Sequence, residues 1–197
     1  LKMAYIAWMT NDIRLREELC TYLPALESYN RASYIGIVLP RTESKVEQEY
    51  VLQSLGDRSA DIRDEAYKVL SEMSLSPEQY QHIEELLRFK YSEMRINAIN
   101  LLMKQPEAQL AASIRRLLSD KNAERRLAGL DMMKSIRNVD FLKDSYQKLL
   151  STVREIQKPN AKEKILIESL IGDGTEQSPT SNYTRENGFG LYDPALE

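Results

Sequence analysis

A single cysteine, Cys20, excludes any disulfide within this chain and fits a reducing compartment. A single histidine, His82, leaves a metal site short of the two or more His or Cys ligands it ordinarily needs. No run of about 18 apolar residues occurs, and the most apolar short stretch, Tyr34 to Leu39, is too short to cross a bilayer. Leu1 to Met9 lacks the basic-then-apolar order of a signal peptide, so the expected location is the cytoplasm. A start on leucine reads as a piece of a longer parent protein. Glycine is scarce in the body of the chain: four of the seven, Gly172, Gly174, Gly188 and Gly190, lie in the last 26 residues. There is no phosphate-cradling glycine loop, no Gly-x-Ser-x-Gly and no His-Glu-x-x-His.

What is present is a helix-forming chain of 197 residues, 42% hydrophobic and 29% charged, with a net charge of −3. That net charge gives no general attraction to nucleic acid or to an anionic membrane. The charge is uneven. Glu43 to Glu85 holds eleven acidic residues against four basic ones, whereas Lys104 to Arg137 holds eight basic against four acidic.

Up to Ile171 the residues are mainly Leu, Ile, Met, Glu, Lys, Arg and Gln, all good helix formers. Ser44-Lys-Val-Glu47, Ser76-Pro-Glu-Gln79 and Asn160-Ala-Lys-Glu163 read as helix starts. Each puts an oxygen-bearing side chain at the N-cap and Glu or Gln three residues on, so that cap and N3 side chains satisfy each other's backbone N–H groups. Pro77 falls at the first helical position, where its missing N–H costs nothing. Asn122, Asn138 and Ser59 are further candidate caps. The apolar residues recur at three and four, as in Ile62, Ala66, Val69, Leu70 and Met73, which puts them on one helical face. The spacing predicts helices over 44–56, 60–74, 78–90, 93–104, 107–119, 123–136, 139–157 and 161–171, with two or three more before Pro40.

Internal repetition decides the expected architecture. Ser59-Ala-Asp-Ile-Arg-Asp-Glu-Ala66 aligns with Tyr91-Ser-Glu-Met-Arg-Ile-Asn-Ala98 and with Asn122-Ala-Glu-Arg-Arg-Leu-Ala-Gly129. An acid recurs at Asp61, Glu93 and Glu124, and arginine at Arg63, Arg95 and Arg126. A small residue recurs at Ala66, Ala98 and Gly129, and a large apolar one at Leu70, Leu102 and Met133. The offsets are 32 and then 31 residues. The acid favours the positive end of its helix dipole, the small residue permits a close helix crossing, and the arginine is placed to bond turn carbonyls or a neighbouring acid. One such pair cannot bury its own apolar face, so several must stack.

This pattern, acid-apolar-Arg-x-x-Ala followed by Leu, resembles the second helix of HEAT-like (armadillo-type) repeats, and covers residues 44–136. Residues 139–171 are a degenerate fourth copy, with Lys164 at the arginine position and Ile167 at the small one. Asp12-Ile13-Arg14 hints at an earlier one, although Glu17 stands where alanine belongs. The third copy departs from the pattern with Arg125 at a usually apolar position. The resemblance implies an all-α fold, an α-α superhelix (solenoid) of antiparallel helix pairs. The expected organisation is an N-terminal helical cap or degenerate repeat over 1–40, the array over 41–171 and a linker or extended tail over 172–197. The tail segment Asn187 to Pro194 resembles one that follows helical repeats in large bacterial proteins of the molybdate-regulator-like type.

Candidates for chemistry are few. His82 reads as a partly exposed structural histidine and Cys20 as a buried small hydrophobe. The pairs Glu47/Glu49, Asp64/Glu65 and Glu84/Glu85 read as solvated helix faces. The one constellation above background is basic: Arg115, Arg116, Lys121, Arg125 and Arg126, with Lys134 and Arg137 further along. It is a candidate phosphate-contacting face, unless these side chains pair with Asp120, Glu124 and Asp131. Phe189, Leu191 and Tyr192, between turn residues, form a candidate docking strip. The expected function is a non-catalytic scaffold for a protein, a peptide or other domains of the parent chain, with no cofactor, metal or membrane partner. The alternative is nucleic-acid binding through the third and fourth helix pairs. A HEAT-type base-excision enzyme is disfavoured because the lone Trp8 lies outside the clear repeats.

Overall fold

The computed structural model describes residues 9, 12–39, 42–90 and 92–172. Among them are ten α-helices and no strand. In chain order these are α1 (Ile13–Tyr22), α2 (Ser28–Val38), α3 (Lys45–Ser54), α4 (Ala60–Glu72) and α5 (Pro77–Leu86). There follow α6 (Ser92–Leu102), α7 (Glu107–Leu118), α8 (Ala123–Ile136), α9 (Lys143–Arg154) and α10 (Ala161–Ile171). Two short 3-10 turns, Leu23–Ala25 and Asp140–Leu142, lie before α2 and α9. The tail strip Phe189, Leu191 and Tyr192, and the N-terminal Met3 to Trp8, lie outside the described residues.

The helices start where oxygen-bearing side chains cap them. Ser76 with Gln79 and Asn160 with Glu163 form complete capping boxes, and Pro77 opens α5. Asn122 accepts from the N–H groups of Glu124 and Arg125. Three expectations need correction. Ser44 caps α3, but Glu47 does not reach back to it, because its carboxylate is turned inward to Arg16. Ser59 stands at its N-cap position without a side-chain bond. Asn138 caps nothing: the helix expected over 139–157 begins only after the Asp140–Leu142 turn.

Packing follows a simple rule. The odd-numbered helices touch one another in sequence, α1 to α3, α5, α7 and α9, and the even-numbered ones do so from α2 through α10. Within pairs, α3 packs on α4, α5 on α6, α7 on α8 and α9 on α10. Helix α1 therefore lies in the row of first helices, so Asp12-Ile13-Arg14 does not start a second helix. Asp12 caps α1, and Glu17, where a close crossing would need alanine, accepts from the Ser44 hydroxyl.

The core runs between the two rows. Val51, Leu55, Ile62, Leu70, Ile83, Leu87, Leu101, Ile114, Leu118, Met133 and Leu149 are all buried within it. Burying each such side chain stabilises the fold by about 1.5–3 kcal/mol before entropy is charged against it. Helix α8 touches α6, α7, α9 and α10, which is why Leu127 to Leu130 are buried in an unbroken run rather than on one stripe.

The recurring small residue sits at the tight crossing of each pair. Ala66 and Ala98 are buried, and a Cβ placed on Gly129 would lie 3.1 Å from Leu118 Cδ2 and 3.2 Å from Leu117 Cβ. Gly129→Leu is accordingly expected to lower stability by about 1–3 kcal/mol through overpacking, read as a fall in the urea midpoint with an unchanged slope.

Candidate functional site

The basic constellation of the sequence is largely neutralised in three dimensions. Arg116, at the end of α7, donates two bonds to the Glu84 carboxylate on α5, at 3.1 and 2.6 Å. Arg125 lies 2.8 Å from Asp120 and 3.4 Å from Glu85. Arg126 donates to Glu163 of α10 at 2.7 Å and to the turn carbonyls of Asp120 and Lys121. Arg115 and Lys121 are exposed and have no ion pair among the described residues.

Those pairings bury three carboxylates, two of which, Glu47 and Glu84, the sequence placed on solvated helix faces. Glu47 and Glu84 are 0% and 1% exposed, and Glu163 is 0% exposed. Glu47 takes a two-pronged bond from Arg16 of α1, at 2.9 and 2.7 Å, with Tyr34 and Thr42 hydroxyls donating to the same carboxylate. A buried carboxylate is tolerable because a guanidinium fork and hydroxyls replace its water. The signal was present as an offset: Arg16 and Glu47 are 31 residues apart, Glu84 and Arg116 32, and Arg63 and Glu93 30. An arginine one repeat length from a glutamate is a candidate bond between neighbouring pairs.

The recurring arginines behave alike. Arg63 donates to the carbonyls of Asp57 and Arg58 and reaches Glu93 on α6. Arg95 reaches both Glu124 and Asp131 on α8, and Arg126 reaches Glu163 on α10. Each holds the start of the next even-numbered helix.

A different surface is open. A groove of about 570 Å³ lies between α2 and α4. One wall carries Tyr29, Ser33 and Ile37, spaced along one face of α2, with Ala32 and Gly36 as a low floor. The other carries Asp61, Asp64, Glu65 and Lys68 of α4. Tyr29 and Ile37 are 75% and 64% exposed. Lys68 binds Glu65 at 2.7 Å, while Asp61 and Asp64 are in no ion pair among the described residues. Gly36 admits the Glu65 carboxylate, whose Oε2 would come within 2.5 Å of a Cβ there.

Elsewhere the side chains suited to chemistry are quiet. Among the described residues no group of three or more His, Cys, Asp or Glu side chains could hold a metal ion, and no helix is long and apolar enough to cross a membrane. His82 is half-buried on α5. Cys20 is buried, and that burial, reinforced by the charges of Glu47 and Glu17, pushes its thiol up to about 12. The neutral thiol is the form present at and well above neutral pH.

Three outcomes follow. Glu47→Gln, which removes the buried carboxylate that accepts two bonds from Arg16, is expected to cost about 3–5 kcal/mol in denaturant titration. Glu93→Gln, at an exposed pair 3.5 Å long, should change stability by no more than about 1 kcal/mol. Cys20 is expected to resist a chromogenic disulfide reagent at mildly alkaline pH in the native protein and to react stoichiometrically once denaturant is added. Prompt native reaction would show a thiolate that the burial of Cys20 does not allow.

No curated protein and no solved structure matches the chain. A family model does match, over residues 1–197, and by that match the chain belongs to a family of unknown function, DUF5724.

Proposed function

We propose that this chain is a non-catalytic scaffold, a HEAT-like (armadillo-type) α-α superhelix that presents a helical face to a protein, a peptide or another domain of its parent protein. One observation carries the reading: each helix packs against the next but one in its own row, and arginines at repeat spacing tie successive even-numbered helices together. Units that touch only their sequence neighbours form a quasi-one-dimensional array, whose long faces serve recognition. The buried carboxylates Glu47, Glu84 and Glu163 are engaged in joining neighbouring helices.

Native-state hydrogen exchange on the intact protein tests the architecture. Amide protection is expected to fall stepwise from the central helices α5 to α8 toward α9 and α10, since end pairs open without the rest. One uniform opening free energy across all helices would overturn the array reading. Nucleic-acid binding is the competing function, and its remaining carriers are the exposed Arg115 and Lys121. Fluorescence anisotropy with duplex DNA at low salt is expected to show no binding. Salt-sensitive binding abolished by Arg115→Glu with Lys121→Glu would put the nucleic-acid reading first.

A further inference from the structure

We infer that the groove between α2 and α4 is a docking site for a short basic, amphipathic helical segment of a partner protein, a reading that rests on the scaffold function above. Three features of the groove point there together. Its α2 wall offers two large apolar side chains, Tyr29 and Ile37, largely in water and eight residues apart on one helix. Eight residues of helix rise about 12 Å, two turns, which matches anchors at i and i+7 on a helix laid alongside. Between these two anchors lie only small residues, Ala32, Ser33 and Gly36, with the Glu65 carboxylate seated over Gly36. Its α4 wall carries three carboxylates against one lysine, and Asp61 and Asp64 are in no ion pair among the described residues.

Charge decides between occupants. An anionic membrane or a nucleic acid would bring phosphates against Asp61 and Asp64, which is repulsive. The chain's own residues 173–197 hold five acidic residues and one basic residue, so they carry the same sign as the groove. A second copy would have to offer its basic stretch, where Arg116, Arg125 and Arg126 are already bound to carboxylates of their own chain and Arg115 and Lys121 alone among the five candidate cations have no ion pair among the described residues. A foreign segment with leucine-like residues on one face and lysine or arginine on its flanks satisfies both walls. The apolar anchors supply affinity, and the carboxylates set orientation and association rate.

The test is anisotropy of a fluorescein-labelled 14-residue peptide of leucine and lysine at helical spacing, titrated with the full chain at moderate salt. A matched peptide of leucine and glutamate serves as control. The lysine peptide is expected to bind and the glutamate peptide not to. Asp61→Lys with Asp64→Lys should weaken binding at least tenfold. Ile37→Ser should weaken it about fivefold at every salt concentration, and Val46→Ser, on exposed α3 surface away from the groove, should leave it unchanged. All four positions are surface-exposed, and unaltered circular dichroism and urea midpoints establish that the variants fold. Absence of binding by the wild type, or binding indifferent to both groove variants, overturns the proposal. If binding is lost in Val46→Ser instead, the scaffold reading survives with a different face and the groove assignment falls.

Discussion

A helix pair of some thirty residues has apolar side chains on more than one side, and folding the two helices together covers only one of them. Everything else in this molecule answers that constraint. Leu55, Leu87 and Leu118 are buried at the ends of their helices, and each of those helices packs on helices of neighbouring pairs as well as on its own partner. The helix with neighbours on four sides, α8, buries Leu127 to Leu130 in an unbroken run and keeps its exposed polar residues, Lys134 and Ser135, near its C-terminal end. Stability therefore resides in contacts between pairs as much as within them.

Apolar faces alone do not fix how one pair sits on the next, because a leucine seam tolerates sliding. The buried ion pairs supply direction. Arg16 to Glu47 and Arg116 to Glu84 join first helices around a buried carboxylate, as Arg126 to Glu163 joins two second helices, while Arg63 to Glu93 and Arg95 to Glu124 are more exposed links between second helices. A guanidinium fork on a carboxylate has one good geometry, and shifting it by a turn would strand a charge in a dry interior. The net gain in free energy from such pairs is small, but the cost of every misaligned alternative is large.

Spending arginines in this way shapes the surface. The chain looks basic between Lys104 and Arg137, yet three arginines of that stretch face carboxylates from other helices. The acidic stretch is treated unequally. Glu47 and Glu84 are internal, while Asp61 and Asp64 remain in water beside Tyr29 and Ile37. The open groove at one end of the even-numbered row is thus acidic and apolar, unlike the uniform basic face that counting charges along the chain implies.

The all-helical class, the helix starts at Ser76, Asn122 and Asn160, and the small residue at each tight crossing were determined by the sequence. These depend on local chemistry: cap oxygens, 3.6-residue spacing and the absence of a side chain at Gly129. The fate of each charge was decided by tertiary structure. Glu47 and Glu49 are indistinguishable as letters on a helix, yet one lies against Arg16, thirty-one residues away, and the other lies against solvent. The same holds for the row to which α1 belongs and for the groove between α2 and α4, which joins residues from two helices separated by α3. Local periodicity states which side of a helix must be buried; only the placement of the neighbouring helix states what it is buried against.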